Sequence, residues 1–180
     1  VLLSLPADSV KAGLGSDAVN TMYQNVLAWE EVLFVANKTQ GIIDTDVNIA
    51  SYKYPMTTRQ NIRYMRMFAG AFMYAAGNHI GIGYGSASGL VCGRPTSGGS
   101  ASLFGWGIAH EIGHNMDKLG KAEITNNIYS LAVQAWDGAD MKKQTRLAGF
   151  WDRIYDKVSA GRPGAANNVF VQLGMYWQLH

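Results

Sequence analysis

The chain has 180 residues, of which 48% are apolar and only 16% charged, with a net charge of +2 at neutral pH. That balance excludes a disordered chain, which combines low hydrophobicity with high charge, and it is sufficient for a domain with a sizeable core. The 15 basic residues are scattered rather than striped, so neither nucleic acid nor an anionic membrane is indicated as a partner. A single cysteine, Cys92, rules out an internal disulfide, and no apolar run reaches the roughly 18 residues of a membrane span.

In chain order, VLLSLP reads as a buried strand that stops at Pro6. The opening has no initiator Met and no charged n-region, unlike a signal peptide. Together with the abrupt end at MYWQLH, it suggests that residues 1–180 are one domain and an incomplete piece of a larger one. Ser16 is the expected N-cap of a long helix whose Val19, Met22, Val26 and Leu33 recur at helical spacing and which ends at Gly41. Residues 42–55 read as loop with a short strand. Residues 61–85 are too rich in glycine in their second half for a helix, and two strands with a bend near Gly70 or Gly77 are expected. GLVCGRP, residues 89–95, reads as another strand, followed by a loop over 96–102. From there the character changes. Helices are expected over 104–118, 122–136, 139–159 and 168–179, with Gly120, Gly138 and Gly161 at C-cap positions. Strands thus fall in the first half and helices in the second, an α+β pattern.

The stretch AHEIGHNMDKLGKAE, residues 109–123, carries the chemistry. His110 and His114 are four apart, so a helix turns both imidazoles to one face, where they can reach one zinc at about 2.0–2.1 Å. Glu111 is rotated roughly 100° around the helix from His110. It is placed to flank an attacking water and take its proton, the role of the glutamate in H-E-x-x-H. With four His and four Glu in the chain, random placement produces the pattern only at roughly the 0.2% level. The flanking FGWGIA and Ile112 make the helix largely apolar, and buried imidazoles and a buried carboxylate need partners that a metal supplies.

The third protein ligand is less direct. In one large class a Gly and then a His follow the second histidine, but here those positions hold Asp117 and Gly120. Glu123 is the leading candidate if the chain turns at Gly120 and starts a second helix facing the first. Asp117, on the same helix as the histidines, is the alternative. Two histidines and one carboxylate leave an open position, as in catalytic rather than structural zinc sites. Asn127, four residues after Glu123, is a candidate to hold a ligand histidine through its other ring nitrogen.

WGIAHEIGHN, then EITNNIYSL, then MYWQL resemble the enhancin-like, mucin-targeting zinc metallopeptidases of the gluzincin group over roughly residues 62–179. His110, Glu111, His114 and Glu123 match that family's pattern of H-E-x-x-H, a spacer of eight residues and Glu, and the glycine-rich AGNHIGIGYG resembles its strand region. The resemblance implies a zincin-like fold with zinc as cofactor. It also implies hydrolysis of peptide bonds in O-glycosylated proteins, mucins above all. It further implies secretion to or display on a bacterial surface, carbohydrate-binding modules elsewhere in the full-length chain, and a transition-state-stabilising residue outside this piece. Two rival readings remain: a non-hydrolytic glycoprotein-binding module with a structural zinc, against which an intact Glu111 argues, and a zinc hydrolase acting on the glycan or another substrate.

Other signals are weaker. GIGYGSASG lacks the register of a dinucleotide-binding turn, and its middle residue, Ala87, excludes a serine-hydrolase elbow. DTDVN begins like a calcium loop, but Ile49 stands where glycine is required. Asn78–Gly85, with glycine at every second position from Gly81, is expected to be an edge strand bordering the cleft, with Gly83 against the substrate. Trp106, one turn before His110, can stack on a sugar, although packing is its commoner role. His79 and His180 are kept out of the site, and Cys92 reads as a small core residue.

Overall fold

A computed structural model describes residues 1–41, 60–68, 70–77, 79–94, 103–161 and 168–179. The readings made for residues 42–55, for the loop over 96–102 and for His180 lie outside the described residues. The chain divides into two compact units, Val1–Thr96 and Ser97–His180.

The first unit holds a four-stranded sheet of β1 (Leu2–Ser4), β2 (Asn61–Tyr64), β3 (Met73–Ala75) and β4 (Ile80–Ile82), in the order β1-β2-β4-β3. β1 and β4 flank β2 in parallel, and β3 pairs antiparallel with β4. Alternation sorts the two faces. Ile62, Ile80 and Ile82 are completely buried, whereas Ser4, Arg63, Gly81 and Tyr74 form one row across the other face. Gly81 leaves room there for Tyr74, because a Cβ would lie 2.2 Å from Tyr74 Cε1 and the ring would have to move.

This arrangement corrects three expectations. Asn78–Gly85 is not an edge strand: its β4 core is paired on both sides and wholly buried, and β3 is the outer strand. The missing side chain at Gly81 makes room for Tyr74 rather than for a substrate. Gly83 lies past the strand end, where its N–H donates to the Phe72 carbonyl at 2.8 Å. β1 is likewise an edge rather than a buried strand, with Leu2 half exposed. There are three strands over 61–85 rather than two, and the turns between them fall at Gly70 and Gly77, both with positive φ.

Two helices complete the sheet unit's N-terminal part. α1 (Ala7–Leu14) was not apparent from sequence, and α2 spans Ala18–Thr39. Asp17 rather than Ser16 caps α2, accepting a bond from Asn20 N. The buried stripe of α2 is Asn25, Ala28, Trp29, Val32, Val35 and Ala36, while Val19, Met22 and Val26 face outward. Asn25 Nδ2 and Trp29 Nε1 both donate to the Leu90 carbonyl, at 2.9 and 3.1 Å. After a short helix α3 (Tyr84–Ala87), the expected strand over 89–95 is replaced, in its described residues, by one 3₁₀ turn (Ser88–Leu90) and bends over 91–94. Cys92 is exposed there rather than buried, and its thiol donates to the Gly89 carbonyl.

The second unit is helical: α4 (Gly105–Met116), α5 (Asn127–Trp136), α6 (Trp151–Ser159) and α7 (Val169–Trp177). Ile128, Leu131, Leu147, Ile154, Val171 and Leu173 form its core, with Trp106, Phe150 and Phe170 packed against it. Asn168 caps α7 by accepting from Phe170 N and Val171 N. Residues 139–150, expected as helix, are mostly turns, so only the end of that segment is α6. All four strands lie in the first unit together with α1 and α2, and the second unit is helical, which gives the α+β class read from the sequence. Among the described residues no helix is long and apolar enough to cross a membrane.

Candidate metal centre

α4 buries Ile108, Ala109, Ile112 and Met116 on one side. Trp106, His110 and His114 follow at steps of four and share another face. Glu111, next to His110, is only 7% exposed. The helix stops at Met116, where Asp117 turns extended. Its Oδ1 accepts from Leu119 N at 2.9 Å and its Oδ2 from Thr125 Oγ1 at 2.5 Å, so Asp117 organises the turn and is not directed at the histidines.

That turn returns the chain to α4. Glu123 adopts a left-handed φ of 64°, a conformation that costs a non-glycine residue free energy and persists where its surroundings impose it. It lies in the turn before α5 rather than on a second helix as expected. Gly113, inside the H-E-x-x-H motif, is what permits the approach: a Cβ there would stand 2.2 Å from the Asn126 carbonyl oxygen.

The result is a convergence of donors. His110 Nε2 and His114 Nε2 are 3.1 Å apart. Glu123 Oε2 lies 3.3 Å from the first and Oε1 lies 3.1 Å from the second. Ligand atoms about 2.0–2.1 Å from a tetrahedral zinc stand about 3.3 Å from one another, so this spacing suits such an ion. Asn127 fixes the proton on one imidazole. Its Nδ2 donates to the Glu123 carbonyl at 2.8 Å, which orients the amide, and its Oδ1 then faces His110 Nδ1 at 2.6 Å. An amide oxygen only accepts, so in the neutral ring this contact favours the hydrogen on Nδ1, the tautomer that leaves the Nε2 lone pair for a metal. Two imidazole nitrogens and a carboxylate at this spacing form a donor set that could hold a metal ion, with Glu123 as its exposed member. Asn126, completely buried beside them, donates to the His110 carbonyl at 3.4 Å.

The structure therefore brings together His110, His114, Glu123 and Asn127, with Glu111 buried beside them, and leaves Asp117 out. Trp106 packs rather than standing open: Phe170 meets its ring edge-on at 6.4 Å and Arg146 covers it at 4.8 Å. Gly83 belongs to the other unit. Sequence reading missed Gly113, Asn126 and the Asp117–Thr125 bond. The signal available was a glycine inside an otherwise apolar helix and a second Asn beside Asn127. His79, set aside from sequence, is engaged in the sheet unit by Arg63 at 3.0 Å and Tyr74 at 3.1 Å.

The pattern of the peptidase M60, enhancin and enhancin-like family matches residues 11–180, and the chain belongs to that family. Among solved structures it is similar to the CBM32-1, CBM32-2 and M60 catalytic domains of ZmpB from Clostridium perfringens, at 26% identity with a TM-score of 0.64, over 86% of this chain and 16% of that one. A second structure, the ZmpB metallopeptidase from Clostridium perfringens, matches at 26% identity with a TM-score of 0.59, over 86% of this chain and 30% of that one. A functionally unknown conserved protein from Bacillus anthracis shares the fold at 24% identity, with a TM-score of 0.69, over 99% of this chain and 35% of that one. The chain thus spans about a third or less of these neighbours. No curated protein matches the sequence.

Proposed function

We propose that this chain carries the zinc site of a gluzincin-type peptidase that hydrolyses peptide bonds in O-glycosylated proteins such as mucins. The observation that carries the reading is the convergence of His110 Nε2, His114 Nε2 and the Glu123 carboxylate within 3.3 Å of one another. His110, His114 and Glu123 would hold the zinc, which would supply Lewis acidity toward the scissile carbonyl and the attacking water. Asn127 holds the tautomer in which His110 can ligate. Glu111, itself buried, accepts the proton of the attacking water on its carboxylate and delivers it to the departing amine. Its burial suits a general base and has no purpose in a protein that only binds.

The glycoprotein preference, a secreted or surface location and accompanying carbohydrate-binding modules are part of the same proposal. They are supported by family membership and by the domains named in the ZmpB neighbours. The decisive experiment incubates the full-length protein with a mucin glycopeptide and examines products by mass spectrometry. Broken peptide bonds and one zinc per chain are expected. Cleaved glycosidic bonds alone, or a protein that neither retains nor takes up zinc, would refute the reading.

A further inference from the structure

The face of α4 that bears His110 and His114 continues one turn further to Trp106, and that indole is immobilised. Its ring is met edge-on by Phe170, and the backbone carbonyl of Trp106 accepts a bond from Ser130 Oγ at 3.0 Å. Over the ring, 4.8 Å from its centroid, lies the guanidinium carbon of Arg146. Arg146 is exposed, and among the described residues its guanidinium takes part in no hydrogen bond and no ion pair.

A free arginine on a surface samples many rotamers, whereas stacking on an indole restrains the plane of the fork while leaving its N–H groups available. A restrained fork with vacant donors is complementary to a planar carboxylate or to a sulfate, which it can grip through two parallel bonds. Side chains one helical turn apart are about 5–6 Å from each other, so the guanidinium stands on the order of 10 Å from the His110 imidazole. An extended chain advances roughly 3.3 Å per residue, which makes that separation about three substrate residues.

We propose that Arg146 is a specificity-determining residue that binds a negatively charged group, carboxylate or sulfate, carried by the substrate within about three residues of the cleaved bond. The proposal rests on the peptidase reading above. The acidic group has two sources, an Asp or Glu side chain of the peptide or an acidic sugar on it.

The test uses the full-length enzyme and two matched substrate series. One compares peptides with Asp or Glu against Asn or Gln at each position up to three residues from the cut. The other compares glycopeptides with acidic against neutral terminal sugars. In one series the native enzyme should favour the acidic member by about tenfold in kcat/KM, and added salt should erode the preference. Arg146→Gln should abolish the preference while leaving zinc content and cleavage of neutral substrates unchanged. Arg146→Lys, a point charge without the fork, should restore it in part. The series that responds identifies the source of the charge. If neutral substrates are cleaved but no acidic preference exists, or if it survives in Arg146→Gln, the proposal fails and the peptidase reading stands. An equal loss on all substrates in Arg146→Gln would show that the residue only supports Trp106, and would also overturn it. If the native enzyme cleaves nothing in either series, both readings fall.

Discussion

Asn127 Oδ1 lies 2.6 Å from His110 Nδ1, and the other end of the same amide donates to the Glu123 carbonyl at 2.8 Å. One side chain therefore sets the tautomer of one proposed ligand and tethers the strained backbone of another. Outer partners of this kind are worth about 10–100-fold in metal affinity. Asn127→Ala is expected to weaken zinc binding by about that factor with the helical content unchanged. Competition against a chromophoric chelator measures it, and unaltered affinity would show the bond to be incidental.

Gly113 should tolerate no side chain. A Cβ would meet the Asn126 carbonyl oxygen at 2.2 Å and the carbonyl carbon at 2.9 Å, both backbone atoms that cannot swing aside. Gly113→Ala must push the turn carrying Glu123 away from α4. Overpacking of this kind costs roughly 1–3 kcal/mol, and the zinc site should loosen with it. Gly149 has open space where its Cβ would be, so Gly149→Ala serves as the control. A lower Tm and weaker zinc binding are expected for the first variant and neither for the second.

Glu111 is the buried carboxylate of the motif, at 7% exposure, and is not among the three residues whose donor atoms converge. Glu111→Gln preserves its volume and removes its basicity. In the full-length enzyme turnover should fall by about 10²–10⁴ while zinc content stays at one per chain. Loss of the metal together with turnover would make Glu111 a ligand rather than a base.

His79 gives the sheet unit a pH dependence. Burial, and secondarily the charge of Arg63, hold its pKa below the ordinary histidine range. Arg63 can only donate, so His79 Nε2 accepts and the ring is neutral in the native state. The unfolded chain then binds this proton at higher pH than the folded one. Stability is complete above about pH 6.5 and declines as pH falls from there through the lowered native value. Comparing denaturant midpoints of the native protein and His79→Gln between pH 7.5 and 5 isolates the contribution. The native protein should lose more stability on acidification, and parallel profiles would contradict the assignment.

Within the sequence, what could be read was whatever depends on local geometry. Four-residue spacing places His110 and His114 on one helical face whatever the rest of the chain does. Positive-φ glycines at 70, 77, 138 and 161 marked turns and helix ends because only glycine adopts that backbone cheaply. What depended on partners distant in sequence was not legible. β4 reads the same whether it lies at an edge or between β2 and β3, since pairing is decided by strands elsewhere in the chain. The outward face of α2 carries Val19, Met22 and Val26, so apolar spacing alone chose the wrong stripe, and residues 139–150 have helical propensity yet form turns around Leu147 in the core. Glu123 stood near the histidines in sequence, but only tertiary structure decided how it faces them. The turn presses onto α4 because Gly113 has no side chain, and that contact joins residues thirteen apart, Gly113 and Asn126, whose proximity no local periodicity encodes.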